Sequence, residues 1–174
     1  MTRTSAQALA VARPIIQGLT VLNLLYAAGI TLLLVSSFFR PDWPWVPLGY
    51  DMHAAHPALP LGLRAIMVIG LVGIAIVHVI LRRLLAIVDT VRGGDPFIVD
   101  NARRLQAIAW GVLGIEALRL MVAGISRAVS TATQPMHMGG GFSFAPWLSV
   151  LLLFVLAGVF TQGARMRDDL DGTV

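Results

Sequence analysis

Residues Leu61–Leu81 read LGLRAIMVIGLVGIAIVHVIL, one apolar run of membrane-spanning length. Arg64 and His78 alone interrupt a run that is otherwise aliphatic, glycine or methionine. As a helix rising about 1.5 Å per residue it reaches about 30 Å, the hydrocarbon thickness of a bilayer. Ile15–Phe39, Leu105–Ile125 and Phe144–Gly163 are runs of the same kind. The pattern predicts an all-α, polytopic membrane protein: a bundle of four transmembrane helices at about 15–39, 61–81, 105–125 and 144–163, forming one membrane domain over 1–174.

Composition agrees. Of 174 residues, 57% are hydrophobic, and the mean hydropathy is +0.80, beyond the needs of a soluble core. The absence of cysteine excludes thiol redox chemistry and disulfide stapling. All 13 basic residues are arginine. They flank the apolar runs instead of forming one basic face, so direct nucleic-acid binding is not expected despite a pI near 11.0.

The arginines orient the chain. Arg3 and Arg13 precede the first run, Arg82, Arg83, Arg92, Arg103 and Arg104 lie between the second and third, and Arg165 and Arg167 follow the fourth. Only Arg40, Arg64 and Arg127 fall on the other side. The positive-inside rule therefore predicts both termini and the middle connector in the cytoplasm. The loops around Arg40–Pro60 and Ser126–Ser143 face outward, with Trp43, Trp45, Tyr50 and Trp147 placed for an aromatic belt.

Between the second and third runs the spacing keeps a helix going as a cytoplasmic extension to Arg92, where Gly93-Gly94 ends it. Asp95-Pro96 reads as an N-cap and first position of the next helix. Pro14 and Pro146 fit the first turns of the first and fourth helices, Ser5–Ala12 being a short helical lead-in. The second outer loop, ending in Gly139-Gly140-Gly141, carries few restraints. Gly70 with Gly73, and Gly111 with Gly114, suggest close helix crossing, while Gln17, Thr20 and Asn23 form a polar edge for bonds to neighbouring helices.

Glu116 and Arg119 form the sharpest internal feature. Both lie inside the third run, Glu116 about 16 Å from Leu105 along a helix. A spacing of three puts them on one face, and Arg119 leans back toward Glu116. A lone intramembrane charge costs about 3 kcal/mol even on insertion scales, so an intramembrane ion pair is expected. It reads either as a register-fixing pair with Arg119 partly snorkelling outward, or as part of a proton or ion relay or a gate.

Two outer clusters carry metal-ligand types: His53 and His56 in the first loop, and Met136, His137 and Met138 in the second. Imidazole with thioether suits copper, or zinc through the histidines, though incidental loop composition explains them as well. No other cofactor is expected. His78 reads as an interfacial residue, and haem ligation lacks a facing histidine. Gly-x-Ser-x-Gly, His-Glu-x-x-His and Walker motifs are absent, so an enzyme is not expected.

Gly94-Asp95-Pro96-Phe97, followed by Asn101-Ala102-Arg103-Arg104-Leu105, resembles the signature of a bacterial membrane family catalogued as domain of unknown function 2975. The end of the chain, from Leu156 through Gly163-Ala164-Arg165-Met166-Arg167 to Val174, is similar to how those proteins end, with departures at Gly158 and Gly172. The resemblance implies a bacterial cytoplasmic (inner) membrane location and no established activity. Members are often encoded beside small helix-turn-helix regulators, which implies a membrane-bound sensor or partner of such a regulator.

The leading expectation is therefore a regulatory membrane protein. Its partner-binding residues would be Asp95, Phe97, Arg103 and Arg104 in the connector with Asp168, Asp169 and Asp171 in the tail, an acidic tail that could attract a basic DNA-binding protein. The alternative is a small transporter or metal-handling protein built on Glu116, Arg119 and the outer His and Met residues. The partners implied are the lipid bilayer, a cytoplasmic DNA-binding regulator and, as an open alternative, a second copy of the chain.

Overall fold

The computed structural model describes residues 3–40, 43–47, 49–50, 57–131, 135 and 138–171, and the side chains of these except 3–10, 168 and 170–171. Its elements are α1 (Arg3–Phe39), α2 (Leu59–Arg92), α3 (Val99–Ala128) and α4 (Ala145–Asp171), with no strand among the described residues. Each helix contains a stretch long and apolar enough to cross a membrane: Val11–Phe39, Leu59–Arg92, Val99–Ala128 and Ala145–Arg167. Large apolar side chains stand uncovered along these stretches, including Leu25, Leu32 and Phe38 of α1 and Leu148, Leu151 and Val155 of α4. So much exposed hydrocarbon is stable only against lipid or another apolar surface.

The helix boundaries extend the expected spans. α1 begins at Arg3 and runs through Pro14, which is therefore interior and not in a first turn. Proline removes one backbone hydrogen bond there, and the continuous helix on both sides retains the rest. α4 continues to Asp171, well past Gly163. α2 ends where the glycines direct: Gly94 has φ +86, its N–H bonds Val91 O at 3.2 Å, and the Asp95 N–H reaches back to Thr90 O at 3.1 Å. This is a Schellman cap, a left-handed residue turning two N–H groups onto the last free carbonyls. Asp95 and Pro96, by contrast, do not open α3, which starts three residues after Pro96 at Val99. The Asp95 carboxylate is engaged with Arg167 instead of capping.

The chain forms two compact units, each with its own packing. The first, here the connector unit, comprises Met1–Leu22, Ile76–Leu113 and Ser143–Val174. Its core includes Ile16, Leu81 and Val88, with Ala12, Val77 and Leu85 against them. α2 and α3 touch closely at Gly111, where an added Cβ would lie 2.9 Å from the Ile80 side chain. The second, the ion-pair unit, comprises Asn23–Ala75 and Gly114–Phe142. Trp45, Leu59, Leu63 and Val129 make its core. Trp45 is 1% exposed, so it belongs to this core and not to an aromatic belt, whereas Trp43 remains exposed. The close helix approach in this unit falls at Gly62, whose added Cβ would sit 2.7 Å from Val129. Of the two glycines expected to mark a crossing here, Gly70 faces open space, while a Cβ on Gly73 would meet Leu118 of α3 at 3.8 Å, an ordinary contact. Of the polar edge on α1, Asn23 Nδ2 donates across to Ile74 O at 3.1 Å, while the Thr20 hydroxyl returns to Ile16 O of its own helix.

Candidate functional site

The expected pair forms. In the ion-pair unit Arg119 Nε donates to Glu116 Oε2 at 2.8 Å and Nη2 to Oε1 at 2.6 Å, a two-pronged grip of guanidinium on carboxylate. Glu116 is 3% exposed, so the carboxylate is removed from surroundings and answered by one cation. The third prong of Arg119 leaves the helix. Nη1 donates to the carbonyls of Gly139 and, at 2.8 Å, Gly141. Arg119 thus does not simply snorkel; it fastens the loop that precedes α4.

That loop is shaped for the contact. Gly139 has φ +84 and Gly140 φ +64, both left-handed. A Cβ on Gly139 would lie 2.8 Å from Ala123 N and from Arg119 O, backbone atoms that cannot move aside. The Ser126 hydroxyl, 1% exposed by residue, lies 3.1 Å from both Ala123 O and Met138 O, to which it can donate. The segment Met138–Gly141 is therefore held by α3 at three carbonyls, contrary to the expectation of few restraints. Three consecutive glycines signal mobility in isolation; the bonds that fix them come from residues about twenty positions earlier.

Arg64, read from sequence only as an orienting charge, also has a local task. Its Nε donates to Ser37 Oγ at 3.1 Å and its Nη2 to Ser37 O, with the guanidinium 4.4 Å above the Phe38 ring. It caps the carboxyl end of α1 while stacking on an aromatic face. The only sequence signal was a charge too early in a span to be left unpaired.

In the connector unit the residues that carry the family resemblance stitch the turn together. Asn101 is 0% exposed. Its Nδ2 donates to Thr90 Oγ1 at 2.8 Å and Pro96 O at 2.9 Å, and its Oδ1 accepts from Arg104 Nη1 at 2.7 Å. Thr90 passes its own hydroxyl hydrogen to Ile87 O at 2.8 Å. One buried amide thereby joins the last turn of α2, the connector and the first turns of α3. Phe97 lies on α4: its ring centroid is 5.3 Å from that of Phe160. A Cβ on Gly163 would come within 2.7 Å of Phe97 Cδ1. Arg167 of α4 pairs with Asp95.

The expected partner-binding residues therefore divide. Asp95 and Arg104 are engaged within the chain; Phe97 is packed on α4 yet stays 44% exposed. Arg103 is exposed beside Asp100 at 3.6 Å, and Asp169 is exposed. The side chains of Asp168 and Asp171 lie outside the described residues. So do His53, His56, Met136 and His137 of the metal candidate; Met138 is described and exposed, its carbonyl taken up by Ser126. Among the described residues no three His, Cys, Asp or Glu side chains converge as a metal site. His78 lies within α2, its Nδ1 buried without a hydrogen-bond partner among the described residues.

These features define an all-α chain with four candidate membrane spans, one unit closed around an ion pair and the other built around a stitched connector. The chain belongs to the family described as Protein of unknown function (DUF2975), whose model matches residues 4–174. No curated protein and no solved structure matches it.

Proposed function

We propose that the chain is a membrane-embedded regulatory protein that engages a cytoplasmic partner, of the small helix-turn-helix kind, through its connector unit. The observation that carries this reading is the fixed connector: Asn101, Phe97 and Asp95 each tie it to a helix. A preorganised turn costs little entropy on binding, which suits a docking platform better than a loose linker. Around it Arg82, Arg83, Arg92 and Arg165 are exposed and take part in no ion pair among the described residues. Glu116 counts against the transport alternative, because both of its oxygens are held by Arg119 and the rest of that guanidinium by loop carbonyls. A relay needs a group free to exchange its proton or ion along a polar route.

The test is recovery of partners from native membranes. A small DNA-binding protein should co-purify with the full chain, and Arg103→Glu or deletion of Asp168–Val174 should weaken that recovery while insertion is unchanged. Membranes that yield no such partner, with transcription unaltered by deletion of the gene, would remove the regulatory reading.

A further inference from the structure

We propose that the cleft at the end of α1, lined by Ser36, Phe39, Arg40 and Trp43, is a headgroup site for an anionic phospholipid, whose phosphate is taken by Arg40. The cleft measures about 300 Å³ and opens beside the last residue of a candidate span, Phe39. That is the level at which hydrocarbon gives way to headgroups.

Its walls are fixed by short local bonds. Trp43 Nε1 donates to Ser36 Oγ at 3.0 Å, and that hydroxyl donates onward to Leu33 O at 2.9 Å. The Trp43 N–H closes the turn on Arg40 O at 3.2 Å. The indole and the hydroxyl thus satisfy each other, and the Arg40 guanidinium is the charged donor left to the cleft. Arg40 is exposed and has no ion pair among the described residues. The neighbouring cation cannot substitute for it, because Arg64 is committed to Ser37 and stacked on Phe38.

Charge complementarity therefore calls for an anion, and a guanidinium matches phosphate through two parallel donors. The apolar walls select the source. Phe39 is 81% exposed and Trp43 40%, surfaces that the glycerol and upper acyl chain of a lipid cover and a free phosphate ion leaves bare. Arg40 also lies on the arginine-poor side of the chain, so the positive-inside asymmetry gives no reason for it.

The experiment uses the purified full chain, with lipid retention read by native mass spectrometry and stability by thermal unfolding. Phosphatidylglycerol, phosphatidylcholine and inorganic phosphate are compared. Phosphatidylglycerol should be retained and raise the unfolding temperature more than the zwitterionic lipid. Arg40→Gln should lower its affinity about tenfold, the worth of one charge-assisted contact. Trp43→Ala should also weaken retention by removing a wall. Arg127→Gln, which removes an exposed arginine at another helix end of the same unit, should leave it unchanged. Equal retention of both lipids, equal effects of the Arg40 and Arg127 changes, or equal stabilisation by inorganic phosphate would each overturn the proposal. Unaltered helical content of Arg40→Gln separates lost binding from lost folding.

Discussion

Arg119 grips Glu116 three residues back and the Gly139 carbonyl twenty residues ahead. One guanidinium thus neutralises a buried carboxylate and holds down a loop. Its three glycines have no side chains with which to anchor themselves, so their position depends on the helix they cover.

Gly139 should therefore be far less tolerant of substitution than Gly141. Gly139→Ala places a Cβ 2.8 Å from two backbone atoms at φ +84, a clash and a strained conformation that should cost about 2 kcal/mol or more. Gly141→Ala meets nothing within 4 Å and should change stability by less than about 0.5 kcal/mol. Thermal unfolding of both variants checks the contrast; equal losses would mean the loop is not seated as described.

Asn101 should matter more than the charged residues around it. Asn101→Ala leaves Thr90, Pro96 and Arg104 short of a partner and should destabilise by about 1–3 kcal/mol. Arg103→Ala removes an exposed pair, Arg103 with Asp100, and should be close to neutral. Denaturation of the two variants in the same detergent decides it, and a costlier Arg103 change would contradict the stitched connector.

Gly163 should be coupled to Phe97. Gly163→Ala drives a methyl into the ring at 2.7 Å and should cost about 1–3 kcal/mol. The same change in a Phe97→Ala background should cost much less, since the obstructing ring is gone. Additive losses would show that the two do not touch.

Orientation is tested by single-cysteine labelling in a chain with no native cysteine. Gly49→Cys and Gly140→Cys should react with an impermeant external reagent, while Gly93→Cys should be protected. Labelling of Gly93→Cys in intact cells would reverse the topology and move the connector platform to the outside.

The spans were legible because lipid imposes a length on any helix that crosses it, and four runs of that length leave little alternative. The Schellman cap was legible for a similarly local reason: Gly93-Gly94 follows a helical pattern and little else can turn there. Glu116 with Arg119 was legible as a pair because its spacing is helical. What escaped was non-local. Nothing adjacent to Gly139 announces Arg119, and Trp45 looks like any interfacial tryptophan until Leu59, Leu63 and Val129 close over it. Asp95-Pro96 did not open α3: the Asp95 N–H completes the cap of α2, and its carboxylate pairs with Arg167, seventy-two residues away. Local capping rules contain no term for such a competitor.

The most direct measurement is a stability cycle on Glu116 and Arg119, whose side chains close on each other as a latch. Glu116→Gln alone leaves the guanidinium without its counter-charge; adding Arg119→Gln removes that charge and with it part of the cost. The single Glu116→Gln variant should therefore unfold at a lower temperature than the double variant. A single variant as stable as the double, or independent additive losses, would contradict the latch and restore the pair as a candidate ion path.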